Sequence, residues 1–206
     1  MYVGRILEKK PIAMKDFDPQ AVAEVARRHL ETIREPRRRR ILQNFIEHAE
    51  AEARGDYDAL MKSCSRERQV YATHGSSFPA PQSYAELEQH YWQLIAMNLY
   101  WIHFEVEKLA VDDDVVFVEG LVHQLYPGAL IEPLFGFAPE DTSAVYQLTK
   151  RTALSFVFDE AGLGAGEHAW SDGPTTRDDL VRVAPEELPP GFHENPLAGR
   201  SFAPSA

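Results

Sequence analysis

Eight histidines, set among apolar runs and scattered carboxylates, are the side chains here best suited to proton chemistry. In Trp101-Ile-His-Phe-Glu-Val106 the period is two, so Trp101, His103 and Glu105 share one strand face and Ile102, Phe104 and Val106 the other. An imidazole beside an indole on a pocket wall could take and return a proton, since its ordinary pKa is about 6.5. His168, Trp170 and Asp172 repeat the pattern on a later strand, where a carboxylate could hold an imidazole in one tautomer. His48 sits in a helix among Phe45, Ala49 and Glu52, and His74 precedes a Gly-Ser-Ser turn at a possible pocket mouth. Tyr126 and Tyr146 flank a long loop, where phenols could donate to a ligand oxygen. His123 alternates with Leu121 and Leu125, which favours the packed face. The competing reading of each residue is structural: a ring that packs and satisfies one hydrogen bond.

Other chemistry has no foothold in the sequence. HExxH, P-loop, GxSxG and strand-linked GxGxxG patterns are absent, and the histidines lack metal-ligand spacing on any one element. No metal or cofactor is expected. Gly162-Leu-Gly164-Ala-Gly166 reads as a hairpin turn, not a phosphate cradle, because no helix follows it. Cys64 is the sole cysteine, which excludes an internal disulfide and suits a buried, inert thiol.

The elements that must position these residues follow from caps and periods. Asp18-Pro19 opens a helix to about Arg34, and Pro36 ends it. Arg37 to Arg40 form a solvated entrance to a second helix, whose Ile41, Leu42, Phe45, Ile46 and Ala49 recur at helical spacing before Gly55. Asp56 caps a short helix, residues 69–73 have strand character, and Ser83 with Glu86 forms a capping box for a helix to Asn98. Residues 99–111 and 115–126 predict a hairpin about Asp112-Asp113-Asp114. Residues 127–145 form a long loop of the kind that covers sites, and 146–159 and 164–172 are two further strands. The plan is α+β: a curved antiparallel sheet with helices on one face, making a cone with a pocket in its floor. Three segments are expected: an N-terminal helical extension (1–36), the cone domain (37–174) and a peripheral tail (175–206).

The chain has 206 residues and a formal net charge of −11, which disfavours a nucleic-acid partner. No apolar run approaches the roughly 20 residues that span a bilayer, and the start lacks a signal-peptide stretch, so a cytoplasmic location without membrane contact is expected.

Three stretches carry a resemblance: Ala53-Arg-Gly-Asp-Tyr-Asp-Ala-Leu60; Trp101 to Val106 leading into Asp112-Asp-Asp114; and Phe156-Val-Phe-Asp-Glu-Ala-Gly162 before Ala169-Trp-Ser-Asp172. In order and spacing, residues of about 38–173 resemble the SnoaL-like branch of the nuclear transport factor 2-like (NTF2-like) superfamily, which includes ketosteroid isomerases, scytalone dehydratases and polyketide cyclases. The resemblance implies a cofactor-free lyase or isomerase for a hydrophobic cyclic or polyketide-like molecule, and a homodimer through the open sheet face. His103 matches a dehydratase histidine, and Asp172 a late aspartate of the epoxide hydrolase and cyclases. His48 falls near an isomerase tyrosine, and His74 near an isomerase base. The isomerases' second aspartate has no counterpart in Thr152–Ser155, and the dehydratases' Tyr-Asp pair is replaced by Glu52-Ala53. His103, Asp172, His48 and His74 are therefore the catalytic candidates, with Trp101, Trp170, Tyr146, Tyr126 and Phe45 shaping the pocket. A non-catalytic ligand-binding or dimerisation module is the alternative.

Overall fold

The computed structural model describes residues 6–74 and 80–205. Element order is α1 (Ala21–Leu30), α2 (Pro36–Ala53), α3 (Tyr57–Lys62), β1 (Ala72–His74), α4 (Tyr84–Ala96), β2 (Ile102–Val111), β3 (Val115–Pro127), α5 (Ile131–Phe135), β4 (Val145–Phe158), β5 (Gly164–Ser171) and β6 (Leu180–Val183). The strands form one curved sheet in the order β1-β5-β4-β3-β2, and β6 pairs with the start of β4. Every pairing is antiparallel except β1 with β5.

Local chemistry sets the boundaries. Pro36 starts α2 at a position where its missing amide costs nothing, and the Glu35 carboxylate accepts from the Arg37 and Arg38 amides. Asp18 accepts from the Gln20 amide, but the helix begins two residues later than its cap suggests. Ser83 accepts from the Glu86 amide, while Glu86 reaches the Gln82 amide, so the box closes one residue early. The loop from 127 to 145 is not bare: it folds α5, which ends on Gly136 at φ +77. The tail contributes β6, and it buries Phe192 and Leu197.

The first hairpin departs from strict alternation. A bulge falls between Val106 and Lys108, opposite Gly120, where an added Cβ would lie 2.1 Å from the Glu105 carbonyl oxygen. The extra residue returns Leu109 and Val111 to the face that packs on α1 and α2, with Phe104, Val116, Val118 and Phe158. That face is concave. The opposite face carries His103, His123, Gln147, Thr149 and Arg151, and residues 6–18 lie against it as a strap. Phe17, Leu125, Val145, Val183 and Phe192 form a second, smaller core there. The face on which a homodimer was expected is thus covered in part by the chain itself.

Candidate active site

Between the concave face and helices α1, α2 and α4 lies a cavity of about 730 Å³. One end is built from α2 and β5. Phe45, His48 and Glu52 follow at three and four residues, so one inner stripe of α2 carries all three. Glu167 enters from β5, opposite Phe156 of β4. Burial pushes the Glu52 carboxyl up to about 7. Burial, reinforced by the charge of Glu52, pushes Glu167 up to about 8. Neither carboxyl group has a hydrogen bond or a cationic partner among the described residues.

His48 stands beside this pair with its protons fixed by its neighbours. The Ser63 hydroxyl donates to the Leu60 carbonyl at 2.6 Å, so Ser63 Oγ is free to accept from His48 Nδ1 at 2.8 Å. The network thereby assigns the proton to Nδ1 and leaves Nε2 to accept from the Tyr91 hydroxyl at 3.1 Å. Tyr71 lies 3.4 Å beyond, hydroxyl to hydroxyl. Burial holds the imidazole down to about 4, so it is neutral at pH 7, and burial raises both phenols further still. Cys64 is buried nearby and pushed up to about 12 by burial, so it offers no thiolate.

The middle of the cavity carries the hydroxyls of Thr152 and Ser171, which are register partners, and the stem of Lys150. The far end is closed by Gln124, Tyr126, Leu134 and Phe135, with the Tyr126 hydroxyl donating to Gln124 Oε1 at 2.7 Å. At the rim, His74 stacks on Trp170 with ring centroids 4.9 Å apart.

Of the sequence candidates, the cavity gathers His48, His74, Phe45, Tyr126 and Trp170. It does not gather His103, Asp172, Trp101 or Tyr146. The interior expectation for His103 is corrected: the ring lies on the convex face, where Nδ1 accepts the Asp18 amide at 2.9 Å. The physical reason is that helix packing and concavity belong to one face, so the apolar set Ile102 and Phe104 lines the hollow and its polar neighbours point away. Trp101 packs on Phe192 in the smaller core. Tyr146 donates to the Asp141 carbonyl and accepts its amide. Asp172 pairs with Lys150 at 3.0 Å and Lys9 at 2.8 Å. Burial alone would raise its pKa, but the two lysines more than reverse this and hold it below the ordinary range.

Glu52 and Glu167 were missed. Their signals were a carboxylate on the inner stripe of α2, four residues after His48, and a carboxylate alternating with the small residues Ala169 and Ser171.

Against known proteins, no family model and no curated protein matches the chain. Solved structures do. A protein of Shewanella putrefaciens CN-32, provisionally named a SnoaL-like polyketide cyclase, aligns at TM-score 0.54 and 12% identity over 82% of this chain and 93% of its own. One of Shewanella denitrificans OS-217, with the same provisional name, aligns at 0.51 and 16% identity, covering 64% and 90%. A third, from Jannaschia sp. CCS1, aligns at 0.51 and 13%, covering 68% and 90%. The chain therefore shares the α+β fold of these three solved structures. Among the described residues, no helix is long and apolar enough to cross a membrane.

Proposed function

We propose that the chain is a cofactor-free lyase or isomerase for a hydrophobic cyclic or polyketide-like molecule, with Glu52 and Glu167 as its acid–base pair. The observation that carries this reading is two carboxyl groups without a cation that line one largely apolar hollow, near enough for the charge of Glu52 to act on Glu167. Such a pair titrates as a unit and shares one proton near neutral pH. The ionised member removes a proton from carbon next to a substrate carbonyl. The protonated member donates to the oxygen that gains charge, or to a departing hydroxyl, which leaves as water. His48 takes no proton in this scheme; it holds the Tyr91 hydroxyl in place. Phe45, Tyr126 and the rim pair His74 and Trp170 exclude water and seat the ring.

The test is a thermal-shift screen of steroids, terpenoids and polyketide fragments, followed by turnover assays on the compounds that bind. Glu52→Gln and Glu167→Gln should each lower turnover about 10²–10⁴-fold with little change in melting temperature. The pH–rate profile should be bell-shaped, failing at low pH when both groups are protonated and at high pH when both are ionised. Unchanged turnover in both variants would overturn the assignment. Binding with no turnover of any ligand would favour the non-catalytic module.

A further inference from the structure

We infer that His103 is a positioning residue: with Nδ1 unprotonated it pins the strap where the chain rounds the sheet edge, and protonation releases the strap together with the cavity wall attached to it.

The geometry is specific. β2 is an edge strand, and residues 6–18 lie on the convex face beside it and its neighbours. The Leu7 amide donates to Glu107 at 2.6 Å, Arg151 donates to the Leu7 carbonyl at 2.6 Å, and Ile12 exchanges two hydrogen bonds with Gln147 at 2.8 and 3.0 Å. Phe17 is buried, 5.8 Å from the His103 ring. The Asp18 amide then donates to His103 Nδ1. The next residue, Pro19, already lines the cavity, as does Val22 of α1. One hydrogen bond therefore stands at the crossing from strap to cavity wall.

An imidazole that accepts an amide N–H cannot be charged, because a protonated Nδ1 would turn a donor toward a donor. The groups facing His103 are Glu105 on its own strand, His123 across the hairpin at 5.7 Å between rings, and Asp16 and Asp18 on the strap. Thr149 of β4 lies behind, 3.1 Å from His123 Nδ1. Burial lowers the His103 pKa and outweighs the backbone hydrogen bond with Asp18 and the carboxylates of Glu105, Asp18 and Asp16, which raise it; burial first, then His103, lowers His123 to about 4. A lowered histidine pKa means that the contact is complete above the unfolded value of about 6.5 and is lost as pH falls through the folded one. Release thus belongs below the ordinary imidazole range.

Hydrogen exchange on the full chain tests this, with protection of peptides spanning residues 7–25 compared at pH 7.5 and pH 5.0 after correction for intrinsic rates. Wild type should lose about tenfold protection at pH 5.0, in the strap and at Pro19–Val25 together. His103→Ala should be unprotected at both pH values. His103→Asn keeps an acceptor near the Nδ1 position but cannot titrate, so it should stay protected at both. An NMR titration of the His103 ring in wild type should give a midpoint matching the loss of protection, whether or not the variants fold. Equal wild-type protection at both pH values, a His103→Asn variant that opens in acid like wild type, or a ring midpoint apart from the opening would each overturn the proposal. None of these results depends on whether Glu52 and Glu167 are catalytic.

Discussion

Glu107 on the convex face and Glu52 and Glu167 on the concave one are the same kind of residue, held in opposite states. Glu107 is 2% exposed, yet Arg151 at 2.7 Å, aided by the Leu7 amide, holds its carboxyl below the ordinary range. Glu52 and Glu167 have no such partner, and burial drives them up instead. All three are withdrawn from bulk water, Glu107 fully under the strap and the other two half-buried on the cavity wall, and the counter-charge differs. Under the strap, charges are matched for structure. In the cavity they are left unmatched, which costs stability and sets proton affinity near neutral pH.

The contrast breaks most visibly if Glu107 is made to resemble the cavity pair. Arg151→Ala removes both the guanidinium on Glu107 and a donor to the Leu7 carbonyl. A buried carboxylate then stands unpaired, and chemical denaturation should show a loss of about 2–4 kcal/mol with little change in m-value. A loss below about 1 kcal/mol would mean that Glu107 reaches water under the strap.

A backbone change tests the cavity side. Gly166 sits at φ +151 beside Glu167, and a Cβ there would lie 1.9 Å from the Val70 carbonyl oxygen. Gly166→Ala should cost roughly 2 kcal/mol, by forcing β1 from β5, and should also lower turnover through displacement of Glu167. Full turnover in this variant would show that the position of Glu167 is immaterial.

The pH dependence of stability separates the faces by sign. The cavity pair binds protons more tightly folded than unfolded. Its contribution is therefore complete below the unfolded carboxyl pKa, and it is lost as pH rises through about 7 and 8. Glu107 behaves oppositely: its contribution is present above the ordinary carboxylate pKa and lost only in acid. Between pH 7 and 8, wild type should lose about 1–2 kcal/mol relative to the Glu52→Gln, Glu167→Gln double variant. Parallel curves would place both carboxyl groups in ordinary solvent.

The sequence made the elements legible where local chemistry decides them, as with Asp56, Ser83 and the Asp112–Asp114 turn, whereas Pro36, read as the end of the first helix, instead opens α2. It also separated the two faces of β2 correctly. What alternation could not say was which face is hollow. The rule that fails is the expectation that a polar face lines the pocket: helices cover the concave side, so Ile102 and Phe104 line it and His103 meets the strap. That pairing joins residues 18 and 103, and no local pattern encodes a contact of such separation. Glu52 was hidden for a related reason. On α2 it reads as one of several glutamates offsetting arginines, and only the arrival of β5 sets it beside Glu167. The bulge at Glu107 likewise needs its partner Gly120 to be seen.

The smallest expected effect sharpens the comparison furthest. Lys9, also on the strap, pairs with Asp172 at 2.8 Å and Asp179 at 2.6 Å, so by count it makes more ion pairs than Arg151 does. Its side chain is 35% exposed, however, and Lys150 contacts the same two carboxylates at 3.0 and 3.5 Å. Removing Lys9 therefore leaves no carboxylate without a cation in contact, whereas removing Arg151 leaves Glu107 with the Leu7 amide and only the more distant charge of Lys108. Lys9→Ala should cost about 0.5–1 kcal/mol, well below Arg151→Ala, and leave turnover unchanged. If the two variants cost the same, the number of pairs would govern strap stability, and the distinction between matched and unmatched buried charge would lose its explanatory force.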